Sequence, residues 1–294
     1  MVFFLTTNGH LYRVTFKSFK NDIAHKKEMA MKKAAVVLTV IFALLLATTA
    51  FAGPSIDKIL KKNELAIGTS GDYPPFNMKT KDGALAGYDI DLGMIIASGM
   101  GVKVRFVQIP FDQLLDALNR GKVDMVISAM TITSKRNLKN AFVGPYFISG
   151  QSMVTTKETA LKAEQLSDID KPDFTLAVPK GTTSEIAAKT NLKQTNITVT
   201  KDMNEAVQLL LSGKVKAVFT DTVTGFITAL RHQDKGLVST SQLTYEPFGV
   251  AIPGNDPLFV NYIENVLGTL RGNGTLDIMI EKWFKDSSWL VDLP

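Results

Sequence analysis

"GKVDMVISAMTIT" (121–133) and "GKVKAVFTD" (213–221), ninety-two positions apart, decide the fold of this 294-residue chain. In each copy a glycine and a lysine follow a helical pattern, and a Val-rich run ends in polar residues. These are Ser128 and Thr131 in the first copy, Thr220 and Asp221 in the second. The match extends upstream at the same offset, where Leu114, Leu115, Ala117 and Leu118 align with Ala206, Val207, Leu209 and Leu210. The repeated unit is therefore helix, turn and strand. Two copies imply an α/β chain of two related lobes, each a mostly parallel sheet flanked by helices. Ligands of open parallel sheets bind beyond the carboxyl ends of the strands, so facing lobes would offer two polar rims to one cleft.

The flanking sequence supports that reading. "LAIGTS" (65–70), "VKVRFVQI" (102–109), "VDMVIS" (123–128), "FTLAVP" (174–179), "ITVT" (197–200) and "KAVFTD" (216–221) read as strands. Helical patterns lie between them. Asp89 is placed to cap a helix carrying Leu92, Ile95, Ile96 and Gly99, while Asp202 and Glu205 form a capping-box pattern before Val207, Leu210 and Leu211. Asp256-Pro257 opens a helix with Ile263, Val266, Leu267 and Leu270 on one face and Gly272 at its end. A last helix presents Leu276, Met279, Ile280 and Trp283.

The amino-terminal region reads as a leader. From Met31 the chain runs "MKKAAVVLTVIFALLLATTAFAG": two lysines, an apolar run, then Ala50-Phe51-Ala52. This is the pattern of a secretory signal peptide (31–52) cut after Ala52, and residues 1–30 precede it without such logic. The net charge of +5 belongs to this region. Residues 1–52 hold seven of the 33 Lys/Arg and two of the 28 Asp/Glu, leaving 26 of each in residues 53–294. A neutral remainder gives no argument for nucleic acid or an anionic membrane. There is no cysteine, so the exported domain holds itself together by its core and takes no lipid on a cysteine. A freely diffusing product of this kind suits a Gram-negative periplasm.

Five stretches, in order, carry a resemblance: "GTSGDYPPFN" (68–77), "GYDIDLGMIIA" (87–97), "GKVDMVISAMTITSKR" (121–136), "VPKGTTSE" (178–185) and "AVFTD" (217–221). Together they resemble the polar amino acid-binding proteins of bacterial ABC importers, over essentially all of residues 55–290. The resemblance implies a monomer of two lobes that close on one L-amino acid and deliver it to an inner-membrane ABC permease, with no cofactor. It also implies crossovers near "SGQSMVTT" (149–156) and "TYEPFGV" (244–250). Lobe 1 would then be residues 53–152 with 247–294, and lobe 2 residues 153–246.

An α-amino acid presents a carboxylate and an ammonium, and the resemblance distributes residues between them. Arg136 matches the carboxylate-binding arginine, whose guanidinium fork fits two oxygens, with Thr131, Thr182 and Thr183 as neighbouring donors. Asp221 matches the aspartate that pairs with the ammonium, although by itself it reads more readily as the cap of a helix starting at Thr222. Ser128, Ala129 and Met130 would complete the shell through backbone and hydroxyl groups, and Tyr73 and Phe111 match aromatics that sandwich the ligand's side chain. Ser70 stands where basic- and amide-specific relatives carry an acid. That weakens the case for a lysine or arginine ligand and leaves a polar uncharged one at least as well supported. Asp72 is adjacent to the tyrosine, with its side chain expected to point elsewhere.

Two other functions fit parts of the pattern. Periplasmic cyclohexadienyl dehydratases share the implied fold and open on a motif like "GTTGDY"; such an enzyme needs an acid in the cleft, for which Glu185 is the candidate. A first-turn helix glutamate is the plainer reading of that residue. A sensor that presents its ligand to a receptor is the other, and it would have to signal through a partner protein. Metal chemistry is poorly supplied, since His232 is the sole histidine after residue 52.

Overall fold

The computed structural model describes residues 2–7, 10–15, 25, 27–35, 54–163 and 165–293. The chain divides into two units, residues 1–51 and 52–294. In the first, Val2–Thr7 pairs antiparallel with His10–Thr15, and residues 27–35 are helical. The expected signal-peptide core from residue 36 onward and the cleavage position after Ala52 lie outside the described residues.

The second unit holds two five-stranded sheets of matching topology. In one, Lys103–Gln108, Glu64–Thr69 and Met125–Val126 run parallel, followed by the antiparallel strands Glu246–Pro253 and Asn140–Ser149. In the other, Asn196–Thr200, Thr175–Pro179 and Ala217–Asp221 run parallel, followed by the antiparallel strands Gln151–Thr156 and Leu237–Ser239. The two strands of the repeated phrase occupy the same central position, each the third in its sheet. A small three-stranded sheet of Asp72–Tyr73, Asn77–Lys79 and Leu85–Ala86 sits beside the first. The chain passes between the large sheets at residues 149–151 and again between 239 and 246.

The repeat is reproduced in backbone detail. Gly121 has φ 67° and Gly213 has φ 69°, the left-handed conformation that ends a helix at little cost only when no Cβ is present. The following lysine donates its N–H to Ala117 in the first copy (3.0 Å) and to Leu209 in the second (2.9 Å), so each corner closes the last helical turn alike. Alternation along the strands then sends side chains to both faces. In the second sheet Leu176, Val178 and Phe219 join one apolar cluster with Ala188, while Ala177, Val218 and Val154 join another with Ala206 and Leu210. Both faces are covered by helices, which is why these strands read as continuous apolar runs.

Several local expectations are met and several change. Asp256 caps the helix Pro257–Gly272 by accepting from Phe259 N at 3.0 Å, and its other oxygen accepts from Ser55 N at 2.8 Å. Asp256→Ala uncovers both donors, and we expect it to lower unfolding free energy by about 2 kcal/mol in urea titration. Gly272 is the last helical residue; the left-handed glycine is Gly274, at φ 77°. Asp202 accepts from Glu205 N (2.8 Å), but the Glu205 carboxylate reaches back to Lys201 N rather than to the cap itself. Asp89 does not cap its helix. Gly87 does, at φ 133°, because the chain there passes so close to Phe76 that a Cβ would lie 2.2 Å from its carbonyl oxygen. Asp89 is turned into the interior instead. Asn140–Ser149 was not legible as a strand because it contains Gly144-Pro145, and it lies at a sheet edge, where proline is tolerated.

Candidate functional site

The carboxyl ends of the parallel strands of both sheets converge on one cleft. Nine of the eleven expected residues line it: Ser70, Tyr73, Phe111, Ala129, Thr131, Arg136, Thr182, Thr183 and Asp221. Ser128 and Met130 stand behind the lining. Ser128 Oγ accepts from Ser70 N (3.0 Å), so it shapes the wall, and the Met130 side chain packs with Leu114, Val126 and Ala251.

Arg136 lies in a single helical turn, Ser134–Asn137, which Thr133 caps by accepting from Arg136 N at 3.2 Å. Its guanidinium donates to the Thr131 carbonyl (2.8 Å) and, across the cleft, to the Gly181 carbonyl (2.9 Å). It lies 5.5 Å from the centre of the Phe111 ring, so Phe111 faces the arginine as well as the cleft. No carboxylate approaches Arg136 within ion-pair distance among the described residues. Burial lowers its pKa to about 10, with the charge of Glu246 opposing the shift, and it remains a cation at neutral pH.

Asp221 fills the capping role with one oxygen and leaves the other out of it. Its Oδ1 caps the helix Thr222–Arg231, accepting from Val223 N (2.9 Å) and Thr224 N (3.1 Å), and also from Ser149 Oγ (3.1 Å). Its Oδ2 is buried and has no partner. Burial pushes the carboxyl up from the usual range, opposed first by the Tyr73 hydroxyl and then by the hydrogen bonds from Thr224 and Ser149. An oxygen that is both desolvated and unpaired is a strong acceptor for a cation.

Direct contacts join the two sides of the cleft. Tyr73 Oη lies 2.7 Å from Thr220 Oγ1 and accepts from Asp221 N at 3.3 Å. Thr131 Oγ1 lies 3.5 Å from Thr183 Oγ1, and Lys180 pairs with Asp112 at 2.8 Å. Thr182 caps the helix Thr183–Asn191, accepting from Glu185 N, while Thr183 donates to Glu246 at 3.0 Å. Glu185 does not line the cleft: its oxygens accept from Gly181 N (2.7 Å) and Lys189 Nζ (2.6 Å), the plainer of its two readings.

Beneath the floor lies a buried polar network. Ser70 Oγ donates to Asn77 Oδ1 (2.8 Å), Asn77 Nδ2 donates to Asp89 Oδ2 (2.7 Å), and Tyr146 Oη donates to Asp89 Oδ1 (2.8 Å). Asp89 Oδ2 also accepts from Ala129 N at 2.9 Å. Ala129 lines the cleft at φ 45°, a left-handed conformation that an alanine holds only when its surroundings fix it. Asp89 and Tyr146, whose Oη accepts from Ala129 N at 3.0 Å, fix it together, and burial pushes the pKa of the Asp89 carboxyl up to about 6 against the hydrogen bonds from Asn77 and Tyr146.

One expectation is corrected here. Asp72 does point to the cleft, accepting from Met203 N at 3.1 Å across it. Burial pushes its carboxyl up, and the charge of Asp202 adds to the shift. Lining residues that sequence reasoning missed include Gln151, Lys201, Asp202 and Glu246. Lys201 and Asp202 follow the strand Asn196–Thr200, so the rule that ligands sit beyond parallel strand ends would have found them. Gln151 and Glu246 open antiparallel strands, and no local signal marks them.

Arg136, which has no carboxylate partner among the described residues, and Asp221, whose Oδ2 has no hydrogen-bond partner, line one cleft. Residues 65–286 match the family described as bacterial extracellular solute-binding proteins, family 3. The chain belongs to this family. Its two-lobed α/β fold is that of the solute-binding proteins solved by crystallography. It is 40% identical to an ancestral amino acid-binding protein described as a precursor of cyclohexadienyl dehydratase, with a TM-score of 0.73, 78% of this chain and 99% of that chain covered. It is 28% identical to the cyclohexadienyl dehydratase of Pseudomonas aeruginosa, over 78% of this chain and 86% of the relative. It is 29% identical to the L-arginine-binding protein of the same organism, over 82% and 95%.

Proposed function

We propose that this solute-binding protein captures an L-amino acid between its lobes in the periplasm and delivers it to an inner-membrane ABC permease. The observation that carries the reading is the pair of opposite charges with free capacity, Arg136 and Asp221 Oδ2, in one cleft. The ligand carboxylate goes to Arg136 with the Thr131 and Thr183 hydroxyls, and its ammonium to Asp221. The sheet that contains Glu64–Thr69 and the sheet that contains Gln151–Thr156, each with its helices, act as the two lobes. Closure then has a physical cause, because a closed cleft lowers the local dielectric and pairs charges that either lobe alone leaves unpaired.

The charge of the lining favours a ligand with a cationic side chain. Asp72, Asp202, Asp221 and Glu246 face the cleft with Arg136, Lys180 and Lys201, and Lys180 is held by Asp112. A plain zwitterion leaves that acidic excess unchanged, whereas a second cation between Asp72 and Asp202 relieves two carboxylates that raise each other's energy. Asp72 thus supplies an acid that Ser70 lacks. Against the dehydratase reading stands Glu185, engaged at its helix end rather than in the cleft.

Calorimetry of refolded, ligand-stripped protein against the twenty amino acids tests the proposal. We expect arginine, lysine or ornithine to bind at least about 10-fold more tightly than glutamine, and Asp72→Asn to shrink that preference. If no amino acid binds more tightly than about 100 µM, roughly −5.5 kcal/mol, the assignment fails. Turnover of prephenate or arogenate, followed by appearance of the aromatic product, would overturn it in favour of the enzyme.

A further inference from the structure

Gln151 lines the cleft and is only 1% exposed, and neither the arginine end of the site nor the helix cap at Asp221 gives its side chain a role. It opens the strand Gln151–Thr156, immediately after the chain crosses from one sheet to the other. Its backbone is satisfied by the returning segment: its N–H donates to Thr244 Oγ1 (3.0 Å) and its carbonyl accepts from Leu243 N (2.8 Å). Its side-chain Oε1 is buried and has no donor.

The register shows what lies beside it. Gln151 is the direct antiparallel partner of Asp221, and directly opposed residues project from the same face of a sheet with Cβ atoms about 5 Å apart. Asp221 Oδ2 is also buried without a hydrogen-bond partner, as are the hydroxyls of Thr69 and Thr222. Asp221 cannot turn to relieve it, because Oδ1 is held by Val223 N, Thr224 N and Ser149 Oγ. Two neighbouring residues that line the cleft therefore each hold a buried acceptor without a donor, one charged and one neutral. A group with several N–H donors and a positive charge satisfies both at once, and a primary ammonium is the smallest such group. A carboxylate or a ligand hydroxyl leaves at least one of them uncovered.

We infer that Gln151 Oε1 and Asp221 Oδ2 form a joint seat for the ligand's α-ammonium, with Gln151 the neutral second acceptor that discriminates amino acids from their analogues lacking the α-amino group. This rests on the amino acid reading above. The neutral partner matters physically. A second carboxylate here would leave a negative charge that one ammonium does not cancel, whereas an amide oxygen adds a hydrogen bond without adding charge.

The test compares L-arginine with 5-guanidinopentanoate, and L-glutamine with glutaramate, each analogue differing by loss of the α-amino group, titrated to millimolar concentrations. Gln151→Leu is expected to weaken the tighter-binding amino acid roughly 10- to 100-fold, the range of a hydrogen bond to a charged group, and its analogue by less than about 3-fold. Gln151→Glu keeps an acceptor oxygen but adds a charge that the ammonium does not cancel, so it is expected to recover only part of the loss, with thermal melts confirming that both variants fold. Equal losses for amino acid and analogue, or equal losses in the Leu and Glu variants, would overturn the inference, since Gln151 would then support the wall rather than touch the ammonium. Wild-type protein that binds neither amino acid removes the amino acid reading itself and this inference with it.

Discussion

Arg136→Ala weakens binding of the cognate amino acid by roughly 2 to 5 kcal/mol, the range for removing one partner of a desolvated charge pair. The ligand carboxylate then enters a cleft in which Lys180 is held by Asp112 and nothing else presents a planar fork. Arg136→Lys recovers only part of the loss, because one ammonium cannot match both oxygens while also holding the Thr131 and Gly181 carbonyls. Asp221→Ala is expected to cost the same range at the ligand's other end, and some fold stability besides. Asp221→Asn separates the two: its amide oxygen can keep the cap to Val223 and Thr224 while the charge is gone. Titration calorimetry on folded variants reads these effects, and a loss under about 1 kcal/mol would remove that residue from the site.

Asp89→Ala is expected to lower unfolding free energy by about 3 kcal/mol or more in urea at neutral pH. It strands the Asn77 amide and the Tyr146 hydroxyl in the interior, each a buried donor without an acceptor, and leaves the Ala129 N–H only the Tyr146 oxygen. Amino acid affinity falls with it, since Ala129 loses one of the two bonds that hold its left-handed conformation in the cleft wall. The wild-type protein carries a pH signature of the same residue. Its carboxyl binds a proton more tightly folded, near pH 6, than unfolded, near 3.8. The folded state therefore holds more protons than the unfolded one between these values. This contribution to stability is fully present below about pH 4, is lost as pH rises through about 6, and is constant above. Asp89→Asn cannot ionise and flattens that part of the profile. Identical profiles for the wild type and Asp89→Asn would show that Asp89 does not titrate in this range.

The parts of the fold that were legible are those written by short-range physics. Gly121 and Gly213 mark two helix ends because both need the left-handed backbone, and Asp256-Pro257 marks a helix start because both residues satisfy its first turn. Strands covered on both faces are apolar throughout, so Leu65, Ile67, Leu176, Val178 and Phe219 announced themselves. The edge strand Asn140–Ser149 did not, since its Gly-Pro pair reads as a turn and its hydrogen bonds come from a partner a hundred residues away. Asp89 was misplaced for a related reason. A capping aspartate and an inward one look alike in sequence, and the choice turns on the approach of Phe76 to Gly87, which leaves no room for a Cβ.

The site divides along the same line. Arg136, Asp221, Thr131 and Thr183 follow strand ends or helix starts that local patterning locates, so the opposite charges of the two repeats are legible in the residues themselves. Which oxygen of Asp221 is free, that Asp72 meets Asp202 across the cleft, and that Gln151 stands beside Asp221 are matters of register and lobe approach. Sequence alone determined that two copies of one helix-turn-strand unit end in different chemistry. Only the tertiary structure decided which atoms those units leave unpaired, because a hydrogen bond is assigned by the neighbours that folding brings within about 3 Å, and most of those neighbours here are distant in the chain.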